Sequence, residues 1–117
     1  MENVHEMKLQ PGPFRAIAAG RKTVEMRLFD EKRRALRVGD RIRFTEMGMG
    51  DGVMTVRITA LRPYSDFGAL YAAYPSAVLG YEEGEIPRPE DMEIYYSREE
   101  QARFGVLAIE IEREDEA

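Results

Sequence analysis

A chain of 117 residues with 44% hydrophobic and 33% charged side chains can bury a core without metal or disulfide help, and one domain over residues 1–117 is the expectation. Its single histidine and lack of cysteine leave no basis for a structural zinc site, and its acids do not follow calcium-loop spacing, so neither metal nor cofactor is expected. A net charge of −5 argues against sequence-independent duplex-DNA binding, and no apolar run reaches the roughly 20 residues of a membrane-spanning helix.

The opening "MENVHEMK" carries acids and no apolar stretch, so it does not read as a signal peptide, and a cytoplasmic location is the expectation. Residues 5–9 alternate, with Met7 and Leu9 inward, and predict a first strand on which His5 packs or meets solvent. "QPGPF" turns the chain, and Pro13 suits the first turn of a helix that places Phe14, Ile17 and Ala18 on one face and closes at Gly20. A second strand follows over 23–29. The charged "DEKRRALRVGD" opens with Asp30 as a helix cap and ends in a tight turn at Val38-Gly39-Asp40.

Residues 41–47 predict a third strand, and "GMGDG" (48–52) a hairpin connection. That loop lacks the Lys-Ser/Thr ending of a phosphate-cradling P-loop. The longest strand runs over 53–64, and "SDFGALYAAY" (65–74) is a helix capped at Ser65 with Phe67, Leu70, Tyr71 and Tyr74 at helical spacing. Residues 75–97 are the least regular part, ending in a short helix from about Glu90 to Tyr96. Ser97 and Glu100 form a capping-box pattern for "REEQ", "VLAIEIER" (106–113) is the closing strand, and the tail at 113–117 is expected to fray. Short strands, tight turns and inserted helices predict a small curled barrel in which the terminal strands pair.

Charge is uneven along this chain. Residues 21–43 hold nine Lys/Arg against four acids, whereas 82–117 hold four Arg against thirteen acids. The basic region is either a set of solvated faces or a patch for an anionic partner, with "DEKRR" (30–34) as a lip that tracks phosphates. The acidic C-terminal half leaves a protein-interaction module as another reading.

The stretch "GRKTVEMRL" (20–28) joins these threads. Val24, Met26 and Leu28 alternate with Thr23, Glu25 and Arg27, so the apolar half is expected to face the barrel core and the charged half water or an inserted segment. Lys22 and Arg27 supply donors for phosphate, carboxylate or carbonyl oxygens, and Glu25 can accept from a nucleobase amine or act as a base. Spacing alone leaves a salt-bridged face and a binding site both open.

This stretch, followed by "VGDRIRF", resembles the G-x-K-x-x-E-x-R signature of ASCH domains, which belong to the PUA-like superfamily; "GYEEGE…DMEIYYSREEQARFGVLAIEIE" resembles the closing region of one bacterial subgroup. The resemblance covers roughly residues 5–112. It implies an α+β fold, a small PUA-like β-barrel of about five to six strands with inserted and flanking helices. It also implies binding of RNA or a small nucleotide-like ligand in a charged cleft formed by Lys22, Glu25 and Arg27. Tyr81 and Tyr96 are expected to stack a base, and Ser97 is a further ligand contact besides its capping role.

One related group of small ASCH proteins removes the acetyl group from N-acetylated cytidine nucleosides, using the motif lysine with a threonine and a glutamate. Similarity to that group implies an alternative function as an amidohydrolase, with Lys22 as activated base and Glu25 as its polariser. Here Glu25 stands at the threonine's position and Thr23 lies two residues earlier, while the partner glutamate would come from Glu82, Glu83 or Glu85.

Overall fold

The structure, a computed structural model, describes residues 3–48 and 50–114. In chain order it contains β1 (Val4–Leu9), α1 (Pro11–Ala18), β2 (Val24–Leu28), α2 (Glu31–Arg34), β3 (Arg41–Glu46), β4 (Val53–Tyr64), α3 (Phe67–Ala73), 3₁₀ helices at Ser76–Leu79 and Pro89–Ile94, α4 (Arg98–Phe104) and β5 (Val106–Arg113). The expected strands are all present. Helix α1 starts at Pro11, because a proline at the first helical position loses no intrahelical donor. Asp30 caps α2 by accepting from the Arg33 N–H at 3.1 Å. The cap of α3 is Asp66, whose carboxylate accepts from the Ala69 N–H at 2.9 Å, rather than the expected Ser65. The short helix expected near 90–96 is a 3₁₀ helix.

The five strands form one curled half-barrel sheet in the order β1-β3-β4-β5-β2, giving a mixed α+β, PUA-like fold. Strand β1 runs parallel to β3, and the other neighbours are antiparallel. The terminal strands therefore do not pair, contrary to expectation. The sheet order gives the reason. Strand β5 is flanked by β4 and β2, so both its edges are taken, and β1 pairs with β3. Of the tail expected to fray at 113–117, Arg113 lies within β5 and the Glu114 N–H donates to Thr55 O at 3.1 Å; residues 115–117 lie outside the described residues.

Two apolar layers flank the sheet. The barrel interior gathers Met7, Ile17, Phe44, Val56, Leu107 and Ile109 among others, and an outer layer gathers Val24, Met26, Phe67, Leu70, Val106 and Ala108 beneath α3 and the 3₁₀ helices. The register of β2 on β5 decides which way the charged motif points. Glu25 lies opposite Ile109 and Arg27 opposite Leu107, and directly paired residues share a face. Glu25 and Arg27 thus point to the barrel's inner side, while Val24 and Met26, opposite Glu110 and Ala108, join the outer layer. This reverses the expected orientation. The alternation was correct, but a strand between two apolar layers can bury its hydrophobic half on either.

Candidate functional site: the seam between the edge strands

Because the sheet is open, β1 and β2 are its two edges, and a cleft lies where they approach. Lys22 is fixed at the entry to β2 by a tight turn, in which the Arg21 and Lys22 N–H groups donate to Ala16 O at 3.0 and 3.1 Å and the Thr23 N–H donates to Val78 O at 3.0 Å. Its stem runs past Gly80, at φ +107°, where an added Cβ would stand 3.1 Å from Lys22 Cδ. Only glycine meets both requirements there. The Lys22 Nζ donates to Leu79 O at 3.1 Å and lies 3.3 Å from Glu25 Oε1. The other carboxylate oxygen, Oε2, accepts from Arg27 Nε at 2.7 Å, and Arg27 Nη2 donates to the Lys8 carbonyl at 2.9 Å.

Glu25 is therefore a buried anion clasped by two cations, each on its own oxygen. Burial pushes its pKa up, but the charges of Lys22 and Arg27 and the hydrogen bonds from both outweigh burial and hold it below the ordinary value. Burial likewise opposes the Arg27 charge, yet Glu25 and the Tyr96 side chain leave its pKa raised. The charged group is net cationic within an acidic chain, and exposed Lys8 stands at its rim.

The cleft measures about 260 Å³. One part is polar, made by Lys8, Gln10, Lys22, Glu25 and Arg27. The rest is apolar and pliant, made by Leu9, Pro13, three methionines (Met26, Met47 and Met92) and the adjacent Tyr95 and Tyr96. The Tyr96 ring is stacked on Phe67 at 6.0 Å between centroids and 21° between planes, while Tyr95 is half exposed at the mouth. Among the described residues, no cluster of three potential metal ligands occurs, and no helix is long and apolar enough to cross a membrane.

The model of the ASCH domain matches residues 7–115 of this sequence. The chain belongs to the ASCH domain family. A hypothetical protein of known crystal structure is 31% identical to this ASCH domain, with a TM-score of 0.79 over 95% of this chain and 99% of that one. A Pyrococcus furiosus protein solved by solution NMR is 29% identical, with a TM-score of 0.66 over 97% and 99% of the two chains. The ASCH protein of Zymomonas mobilis shares the fold at 19% identity, with a TM-score of 0.69 over 94% of this chain and 67% of its own. No curated protein matches the sequence.

In this ASCH domain four of the expected site residues, Lys22, Glu25, Arg27 and Tyr96, meet in one cleft, and two do not. Tyr81 faces a separate hollow with Arg21, Ala77, Glu82 and Glu83, where its hydroxyl lies 2.8 Å from Tyr71 Oη and 2.7 Å from Asp91 Oδ2. Ser97 is occupied as a cap, its Oγ accepting from the Glu100 N–H at 3.1 Å. None of Glu82, Glu83 and Glu85 lines the cleft. Nor does any residue of 30–34, the expected phosphate-tracking lip: Arg33 pairs with Asp30 at 2.8 Å and Arg34 covers the Phe29 ring at 4.2 Å, while Lys32 is exposed. His5, expected only to pack or face solvent, binds Asp40 Oδ2 at 2.8 Å through Nε2.

Sequence reasoning missed Lys8, Gln10, Met47 and Met92, and passed over Tyr95 in favour of Tyr81 and Tyr96. The strand alternation carried a signal for the first two, since Lys8 and Gln10 follow the outward phase set by Met7 and Leu9. Met47 closes the third predicted strand, and Met92 and Tyr95 come from a segment without a period.

Proposed function

We propose that the seam cleft binds a nucleotide-like unit, either a free nucleotide or one nucleotide of a single-stranded RNA. One observation carries this reading: Lys22 and Arg27 are held side by side by the shared carboxylate of Glu25, in a cleft whose apolar wall includes two tyrosines and three methionines. Two fixed cations suit phosphate or carbonyl oxygens, and the Tyr95 and Tyr96 rings suit the face of a base. A volume near 260 Å³ falls just below the roughly 300–1,000 Å³ of pockets for drug-sized ligands, which supports one unit rather than a duplex. With both its oxygens engaged, Glu25 acts chiefly to align the cations.

The test is a titration of a fluorescent five-nucleotide single-stranded RNA and of a nucleoside monophosphate at several salt concentrations. Salt-sensitive binding that weakens about tenfold or more in Lys22→Ala and Arg27→Ala supports the reading. Binding untouched by either substitution, or no binding of either probe, overturns it.

Hydrolysis of an acetylated cytidine amide is a second reading, favoured by the buried contact between Lys22 and Glu25. Against it stands the absence from the cleft of the 82–85 glutamates, one of which would have to be the partner carboxylate. Release of cytidine from the acetylated nucleoside, followed by chromatography, decides between the two.

A further inference from the structure

Gln101 lies outside the cleft, on α4, and is one of the few buried polar side chains of the molecule at 6% exposure. Its amide has two well-defined partners. The Phe67 N–H, which as the first helical residue of α3 has no partner within its own helix, donates to Gln101 Oε1 at 3.3 Å. Gln101 Nε2 in turn donates to the backbone carbonyl of Tyr96 at 3.2 Å. The orientation of the amide is forced, since an N–H can only donate and a carbonyl can only accept. The two residues joined in this way are the pair whose rings stack, Phe67 and Tyr96.

We propose that Gln101 is a positioning residue for the cleft: its amide ties the start of α3 to the Tyr96 carbonyl and so sets where the Tyr96 ring stands. The Tyr96 side chain is a cleft wall and also one of the groups that favour the Arg27 charge, so the strut reaches the cationic centre through one intermediate residue. Few side chains serve in this place. Leucine or methionine fills the volume but leaves the buried Phe67 N–H and the part-buried Tyr96 carbonyl without these partners, and glutamate accepts from Phe67 yet presents a second acceptor to the Tyr96 carbonyl. The consequence for ligand binding rests on the function proposed above, whereas the placement of Tyr96 does not.

The test uses Gln101→Glu and Gln101→Met. In the ligand-free protein, NMR reads the Tyr96 ring protons, which stacking on Phe67 shifts, and the Arg27 Nε–H. Binding of the five-nucleotide RNA is measured in parallel from pH 8 to pH 5. In Gln101→Glu both sets of signals should move at pH 8 and return towards wild type at pH 5, where the carboxyl, pushed above its ordinary range by burial against a second acceptor, is protonated and again donates to the Tyr96 carbonyl. RNA affinity should fall about three- to tenfold at pH 8 and recover to within twofold at pH 5. The wild-type titration controls for Asp66, Glu90, Glu93 and Arg98, which share the groove over Gln101. Gln101→Met, which keeps the packing, should show the displaced signals at every pH. Unchanged Tyr96 and Arg27 signals in a folded Gln101→Met or Gln101→Glu overturn the proposal. If the wild type binds no RNA, the function proposed above fails, and the Tyr96 and Arg27 signals alone decide the role of Gln101.

Discussion

Arg27 Nη2 donates to the carbonyl of Lys8 at 2.9 Å, and through that bond the two edge strands of the sheet meet. The same guanidinium holds Glu25 at 2.7 Å, so one side chain both closes the seam and forms the floor of the cleft. Its five donors in a planar fork permit this; the three donors of a lysine on a point charge do not reproduce it.

Arg27→Ala is expected to lower stability by about 2–3 kcal/mol, the scale of charged hydrogen bonds lost from a mostly buried site. Denaturant unfolding measures the loss, and hydrogen exchange locates it, with amide protection falling first near Leu9 on β1. Arg27→Lys should recover part of the charge effect and little of the seam protection.

Acid should weaken the molecule through Glu25. Its folded-state pKa lies below the ordinary 4.5, so its contribution is fully present above about pH 4.5 and is lost as pH falls through the folded value. Glu25→Gln removes this slope. At pH 7 it leaves Lys22 and Arg27 facing each other without their anion, at a cost of roughly 3 kcal/mol. The gap between variant and wild type should therefore narrow on acidification, as followed by urea midpoints at pH 7 and pH 3.5.

Gly80→Ala should cost about 1–2 kcal/mol from its left-handed backbone alone. It should also push the Lys22 stem, since the new methyl would lie 3.1 Å from Cδ. Ligand affinity should then drop further than stability accounts for, and comparison with Lys22→Ala in the same titration exposes the shared cause.

Ser97→Ala and Tyr81→Phe separate structural from cleft residues. The first removes an N-cap and should lower stability by about 1 kcal/mol, and the second removes a hydroxyl bonded to Tyr71 and Asp91. Both should leave RNA affinity within twofold of wild type. A larger loss would return either residue to the cleft.

Local pattern made much of the fold legible. Period-two alternation marks β1 to β4, the apolar run 106–109 marks β5, and helical spacing marks α3. The spacing of Ser97 and Glu100 marks the capping box, because its two bonds are local in sequence. The grouping of Lys22, Glu25 and Arg27 was legible from the resemblance, since all three stand on one turn and one strand. The side they face was not, because it depends on the pairing of Glu25 with Ile109 from the far end of the chain. The tyrosines failed similarly: nothing periodic in residues 75–97 distinguishes Tyr95, at the cleft, from Tyr81, which is tied to Asp91. The partnership of His5 with Asp40 was equally hidden, being made across the parallel β1–β3 crossover.

The strand order has a kinetic side. Among the described residues strand β2 pairs with β5 alone, so the backbone that carries Glu25 and Arg27 has no strand partner until β5 has been synthesised. Such long-range pairing slows folding, because loop closure is paid before any contact rewards it. During synthesis the cationic centre therefore waits for β5, and a chain cut short before Val106 would carry the whole signature motif without the pairing that shapes it.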